Sequence, residues 1–259
     1  MHTAHFCPLA SGSKGNAILL SVGKTRILID AGISLKALKN HLTALDIPLE
    51  SIDAIMISHE HHDHISGLKM LALKQEIPVI TNYETAKAIA ASLQDCPKFK
   101  LFTTGETFEF QDLEITPFSV KHDAVDPVGF SILTEKQKIG IATDIGKVTK
   151  QVSHLLKECH ILYVEANHDP QLLQQSKRPE MHKERVRGSL GHLSNEECAT
   201  LIEEVYHANL HSIFLAHLSG ECNTHEIALQ TVQNALNHLE KPPSVEIAFQ
   251  DRMSKSVIL

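Results

Sequence analysis

ISHEHHDHISG, residues 57–67, follows an apolar run and puts four histidines, a glutamate and an aspartate into six consecutive positions, His59 to His64. Six extended residues span only about 20 Å. The spacing His59, His61, Asp63, His64 is too tight for one regular face of a strand or a helix, but a turn leading into a helix accommodates it. His59 and His61 then leave the strand on one side, and Asp63 and His64 open a helix predicted to run through Leu68 and Leu71. Two pairs of side chains point at two neighbouring centres. Imidazole nitrogen with carboxylate oxygen suits Zn²⁺, Fe or Mn²⁺ and does not suit Ca²⁺ or an all-protein Mg²⁺ cage. Glu60 and His62, at the intervening positions, are expected to face solvent or to support the ligands.

Outward from this stretch, strands alternate with amphipathic helices. Strands are predicted at residues 17–22, 25–30, 52–58, 78–81, 113–121, 129–134, 138–143, 161–166, 212–217 and 245–249. Helices are predicted behind Ser34, through Leu35, Leu38, Leu42 and Leu45; from a Ser194/Glu197 capping box to Val205; and over residues 224–238. Five strand ends carry a carboxylate or an imidazole: Asp30, His59, His122, Asp144 and His217. Loops leaving one edge of layered sheets meet in space, so these residues converge on one candidate site. Two packed sheets flanked by helices fit both halves of the chain.

The bulk numbers agree with one globular domain over residues 1–259, 42% hydrophobic, with no repeat or linker. No spanning helix or leader pattern is read, so a soluble, cytoplasmic protein with no membrane partner is expected. Five scattered cysteines without CxxC spacing exclude a disulfide framework and a thiolate zinc site. A net charge of -7 means that any polyanion must be held locally rather than by the whole body.

The order His59-x-His61-x-Asp63-His64, with Asp30 before it and His122, Asp144 and His217 after it, resembles the metallo-β-lactamase superfamily. The resemblance implies an α/β fold, a four-layer αββα sandwich with a dinuclear site at one sheet edge. It further implies that His59, His61 and His122 hold one divalent ion, that Asp63, His64 and His217 hold a second, and that Asp144 bridges them. Asp30 would orient a ligand or loop rather than bind metal. Sequences resembling true β-lactamases carry cysteine where this chain has Asp144, and redox di-iron members carry glutamate where it has His61. A hydrolytic member is expected.

GHLSN, residues 191–195, resembles the ribonuclease Z and cyclic-phosphodiesterase branches, in which a histidine faces the scissile phosphate. His192 is then a candidate catalytic acid, and Glu165 a candidate for orienting His192 or a ligand histidine. A finer resemblance is to the small bacterial YycJ/WalJ-type metallohydrolases. It rests on SGSKGNA, LIDAG, SHEHHDHISGL, KHDAVDPVGF, ATDIG, VEANHD, GHLSN and AHLSGECNT in order. That resemblance implies a DNA exonuclease working from a 5′ end with two divalent ions, Zn or Mn, Fe remaining possible. Two ions about 3.5 to 4 Å apart lower the pKa of a shared water toward about 7 and so supply a hydroxide nucleophile. Asp63 and Asp144 would position it as catalytic carboxylates.

Only 72 residues lie between Asp144 and His217 and 21 between His122 and Asp144, which leaves no room for a large cap domain or a long tRNA-gripping arm. The substrate groove must come from the core and short loops. Residues 177–188, KRPEMHKERVRG, hold five basic residues against two acidic ones just upstream of His192. Lys183, Arg185 and Arg187 are therefore candidate contacts for a nucleic acid backbone, DNA being expected. Ser11, Ser13 and Asn16 of the first Gly-containing loop are candidate contacts through hydroxyls or turn amides. A thiolester hydrolase resembling glyoxalase II and a non-catalytic, regulatory protein on the same scaffold remain alternatives. The sequence specifies no oligomeric state.

Overall fold

The computed structural model describes residues 5–258. Two seven-stranded mixed sheets pack face to face. The first has strands β1 (His5–Ala10), β2 (Ala17–Val22), β3 (Thr25–Ile29), β4 (Ala54–Met56), β5 (Val79–Asn82) and β6 (Phe99–Phe102), with β14 (Val257–Ile258) beside β1. The second runs β7 (Phe108–Phe110), β8 (Leu113–Ser119), β9 (Val128–Leu133), β10 (Lys138–Ala142), β11 (Ile161–Glu165), β12 (Ser212–Ala216) and β13 (Ser244–Ile247) in spatial order. Each sheet joins an antiparallel part to a parallel part: β3 to β6 are parallel in the first, β10 to β13 in the second.

Alternation along the strands builds the layers. Ile27 and Ile29 of β3, Ile161 and Tyr163 of β11, and Phe214 of β12 point into the core between the sheets. Their neighbours Leu28, Leu162, Val164, Ile213 and Leu215 point outward beneath helices. Both faces of the parallel strands are therefore apolar, as strands covered on two sides require. Helices α1 (Leu35–Ala44), α2 (His62–Ile65) and α3 (Tyr83–Leu93) belong to the first half, and α4 (Lys150–Leu156), α5 (Pro170–Gln175), α6 (Glu180–Arg187), α7 (Asn195–Val205) and α8 (His225–Leu236) to the second. Leu38 and Leu42 of α1 join the outer core of the first sheet; Val152, Ile202 and Val232 of α4, α7 and α8 join that of the second. The result is the expected αββα sandwich. None of the described helices is long and apolar enough to cross a membrane.

Local signals place several elements as read. Ser34 caps α1 by accepting from Ala37 N–H, and Ser194 and Glu197 form the reciprocal capping box of α7. Several features differ from the sequence reading; β6, β7 and β14, for instance, are not among the predicted strands. The helix expected through Leu71 is one α-turn, α2, followed by a π-helical turn at Lys69–Lys74. Gly67 explains the break: its N–H bonds to Ala31 O, across the loop, and a Cβ there would strike the Ile33 carbonyl. β1 was not expected because Pro8 interrupts it; the strand accommodates Pro8 with a register shift toward Ala10. The basic segment before His192 is a helix, α6, opened behind Pro179.

Candidate metal centre

The strand ends deliver the site. Asp30 follows β3, His59 lies just beyond β4, Asp144 follows β10, Glu165 closes β11 and His217 follows β12. Asp30, Asp144 and His217 each turn away with a left-handed backbone, φ 60°, 57° and 54°. For residues other than glycine this region is sparsely populated, Asp, Asn and His being among the more tolerant. The turn aims each side chain across the sheet edge instead of along it.

The loop of residues 59–64 is held from below. Asn16 N–H donates to Asp63 O, Gly32 N–H donates to Asn16 O, and a Cβ on Gly32 would fall on the Asp63 carbonyl. Only glycine lets the loop after β3 approach so closely. Asn16 Nδ2 also lies 3.2 Å from Asp63 Oδ2.

One ring nitrogen each from His59, His61 and His122 falls within 4.8 Å of the others; so do ligand atoms of Asp63, His64 and His217, and those of His59, His64 and Asp144. The last group overlaps the first two, so Asp144 sits between them. Its Oδ1 lies 3.5 Å from His217 Nε2 and 3.7 Å from His122 Nε2, and its Oδ2 lies 3.2 Å from His64 Nε2. The remaining nitrogens are oriented from outside. Asp30 Oδ2 is 2.8 Å from His64 Nδ1 while its Oδ1 accepts from Ser58 N–H and hydroxyl. Gly191 O accepts from His122 Nδ1 at 3.1 Å. Fully buried Glu165 accepts at Oε1 from both His192 Nδ1, 2.7 Å, and His217 Nδ1, 3.2 Å. Its Oε2 accepts from Ile145 and Leu193 N–H. Such outer partners fix ring orientation and raise ligand basicity.

Two buried atoms fit a cation. Among the described residues His59 Nε2 and Asp144 Oδ2 form no hydrogen bond of good geometry, Oδ2 having only the ion-pair approach of His64 Nε2 at 3.2 Å. A buried polar atom left unmatched costs roughly 1–3 kcal/mol, more if charged, and a divalent ion answers both. The electrostatics agree. Burial pulls the His64 imidazole down, but the Asp30 and Asp144 carboxylates outweigh it and raise it to about 10. Burial likewise opposes the rise at His217, which Asp144 and the bonds to Asp63 and Glu165 carry well above the usual range. Burial and neighbouring imidazoles keep His59 well below it, and burial lowers His122. Despite burial, the His217 and His64 charges hold Asp144 well below the usual carboxylate range. A divalent ion binds carboxylates and neutral imidazoles and displaces the protons of imidazolium ligands, and this cluster offers all three.

The other expected residues are placed as follows. His192 lines the rim, its Nδ1 held by Glu165; burial opposes a rise that the Glu165 charge brings about. Ser11 is buried, accepting from Tyr163 hydroxyl and His217 N–H, so it supports the loop of His217. Asn16 is buried and faces Asp63 rather than solvent; Ser13 is exposed. Arg185 reaches the site edge and pairs with Asp123. Lys183 and Arg187 do not: Lys183 Nζ is turned into Gln174 O, and Arg187 binds Gln174 and Glu180. These partners lie on the face of α6 turned toward Gln174. Glu60 Oε1 accepts from Val125 N–H, tying its loop to the one after His122, and His62 is exposed. Sequence reading missed Asp123, whose Oδ1 lies 3.4 Å from His122 Nε2. Its only signal was adjacency in KHDAV.

Residues 25–214 match the family described as "Beta-lactamase superfamily domain". The chain belongs to that superfamily, and the fold and His/Asp cluster make it a metal-dependent hydrolase within it. It is 33% identical over 249 residues to exodeoxyribonuclease YycJ of Bacillus anthracis, covering 95% of this chain and 93% of that protein. Exodeoxyribonuclease WalJ of Streptococcus pneumoniae serotype 2 is 34% identical over 247 residues, covering 94% and 92%. The metallo-beta-lactamase fold protein YhfI from Bacillus subtilis shares the fold, with a TM-score of 0.74 at 15% identity over the full length of both chains.

Proposed function

We propose that this chain is an exodeoxyribonuclease that holds two divalent ions, Zn²⁺ or Mn²⁺ with Fe as a further possibility, and hydrolyses DNA from a 5′ end in the cytoplasm, as one catalytic domain. The observation that carries the reading is His192 held by Glu165 beside the seven-residue ligand cluster, in a chain whose full-length relatives are named exodeoxyribonucleases. His59, His61 and His122 would hold one ion, Asp63, His64 and His217 the other, with Asp144 between them. When bound, such ions lower the pKa of a water and neutralise phosphate charge. The chain's own residues do the rest.

Asp63 and Asp144 orient the attacking water through their carboxylates. Glu165 accepts the Nδ1 proton of His192, leaving Nε2 on the open side, and its charge favours the imidazolium. Water oxygen bonds to phosphorus, and the bond to the 3′ oxygen breaks with its electron pair. His192 Nε2 gives that oxygen a proton, balancing the one the water has lost. Asp30 and the Gly191 carbonyl keep His64 and His122 in register throughout.

The test is digestion of 5′-labelled and 3′-labelled duplex and single-stranded DNA with Mn²⁺ or Zn²⁺, alongside Asp63→Ala. Mononucleotides released from the 5′ end by the wild type alone are expected. Intact DNA with metal-loaded wild type, or release from 3′ ends, would refute the reading.

A further inference from the structure

Four of the five histidines in the ligand cluster have an outer partner. His59 Nδ1 lies 3.0 Å from Ser58 Oγ, His64 Nδ1 2.8 Å from Asp30, His122 Nδ1 3.1 Å from the Gly191 carbonyl and His217 Nδ1 3.2 Å from Glu165. In each the other ring nitrogen is left for the centre. His61 is turned the opposite way. Its Nδ1 lies 3.3 Å from His122 Nε2, close to the roughly 3.4 Å that separates two nitrogens bound at about 2.05 Å to one tetrahedral ion. Nδ1 therefore faces the centre and Nε2 faces out. Among the described residues His61 Nε2 makes no hydrogen bond, and its one approach to a carboxylate is Asp123 Oδ1, 3.9 Å away. Asp123 is itself held in place. Its Oδ2 accepts from Arg185 Nε at 2.8 Å and pairs with an outer guanidinium nitrogen, which leaves Oδ1 on the side of the imidazoles. The turn that carries it is pinned at three points: Val125 N–H donates to Glu60 Oε1, Asn82 Nδ2 donates to Asp126 O, and Asp126 Oδ2 accepts from the Thr104 hydroxyl.

We propose that Asp123 is the positioning residue of His61, accepting a hydrogen bond from its Nε2 in the metal-loaded protein, and that Arg185 aims the carboxylate; the inference rests on the assignment of His59, His61 and His122 to one ion. A neutral imidazole carries one proton. An ion at Nδ1 confines that proton to Nε2, which is then a donor facing a carboxylate that must come about 1 Å nearer to accept it. The soft terminal torsion of aspartate permits that movement. A carboxylate on the outer nitrogen fixes the ring and raises its basicity as a ligand. The two ions would then be unequally supported. The one held by Asp63, His64 and His217 is backed by buried Asp30 and Glu165, with side chains 8% and 0% exposed, whereas Asp123 is 29% exposed at the solvent edge. Loss of Asp123 should weaken one ion and spare the other.

The experiment measures Zn²⁺ binding by competition with a chromophoric chelator for wild type, Asp123→Ala and Asp123→Asn. Proton–nitrogen NMR spectra of the zinc-loaded proteins report the imidazole N–H groups. Wild type should bind two ions and show a hydrogen-bonded Nε2–H signal from His61. Asp123→Ala should bind one ion roughly 10- to 100-fold more weakly, leave the other within a factor of about two, and lose that signal. Asparagine keeps an acceptor for His61 while turning its amide toward Arg185, so Asp123→Asn should recover the signal and part of the lost affinity. A merely structural role would weaken both ions together and would not be rescued. Two ions bound by Asp123→Ala as tightly as by wild type, or equal weakening of both, would overturn the role of Asp123 and leave the metal assignment standing. So would absence of the His61 Nε2–H signal from zinc-loaded wild type, the outcome if Asp123 Oδ1 bound the ion itself. Wild type that binds no zinc would overturn the metal assignment as well.

Discussion

Glu165→Gln tests the scaffold of the site through one buried atom pair. Glu165 is fully buried and accepts four hydrogen bonds, two at each oxygen. Glutamine keeps one acceptor oxygen. If that oxygen stays with His192 and His217, the new amide meets the N–H groups of Ile145 and Leu193 donor to donor; if it flips, the imidazoles lose their acceptor. Burial alone would raise the Glu165 pKa, but the His192 charge and the imidazole bonds lower it from 4.5 to about 2. That difference corresponds to about 3 kcal/mol of stability in the metal-free protein. A depressed carboxylate contributes fully above its unfolded pKa, so the whole effect is present at pH 7 and is lost as pH falls from 4.5 toward about 2. By pH 3 roughly 2 kcal/mol of it is gone. For chelator-treated protein at pH 7 the variant should melt roughly 6–12 °C below wild type, and the gap should narrow as the pH is lowered. Metal-loaded variant should lose roughly 10- to 100-fold in kcat or metal affinity. Equal melting at pH 7, or a gap that does not narrow on acidification, would refute this account of Glu165.

Gly32→Ala drives a methyl group into the Asp63 carbonyl; we expect about 2 kcal/mol or more of destabilisation with reduced bound metal by elemental analysis, and unchanged metal content would contradict the close approach. Chelation followed by added Zn²⁺ or Mn²⁺ should move the melting temperature down and then up. Metal at 1,000 times its Kd contributes about 4 kcal/mol, and a melt indifferent to metal would argue against a cation at His59 Nε2 and Asp144 Oδ2. Among the cysteines, burial pushes Cys7 up to about 11 and Cys159 up to about 12, and Cys198 and Cys222 are also buried, whereas Cys96 is exposed. A thiol-reactive dye at pH 8 should therefore label Cys96 in the native protein and all five cysteines after unfolding; rapid native labelling of Cys7 or Cys159 would contradict their burial.

The strand ends were legible because period-2 burial and short apolar runs mark strands directly, and ligand-type side chains stood just past them. The layered α/β architecture followed from the same pattern. What escaped was set by long-range packing. Whether a helix continues beyond His64 depends on Gly67 meeting Ala31, far away in the chain. Pro8 concealed β1, because a proline in a run argues against a strand until a register shift accommodates it. In α6 the basic residues were visible as a charge excess, but charge alone does not assign a face. Lys183 and Arg187, four apart, turn to Gln174, while His182 and Arg185, with Arg178 just before the helix, line a cavity beside His192. Glu165 was readable as a candidate orienting residue; that one oxygen serves two histidines at once required the tertiary structure.

The left-handed turns at Asp30, Asp144 and His217 bear on how the site should be mapped by mutation. Alanine at these positions removes a side chain and also puts an intolerant residue into a conformation that costs about 1–2 kcal/mol. An alanine scan would thus mix a backbone penalty into each apparent loss of metal or activity. Asparagine visits the same backbone region readily and removes the charge or the imidazole, so Asp30→Asn, Asp144→Asn and His217→Asn report the side chain's own contribution. The difference between the alanine and asparagine variants at one position measures how much of the site's geometry is stored in the main chain.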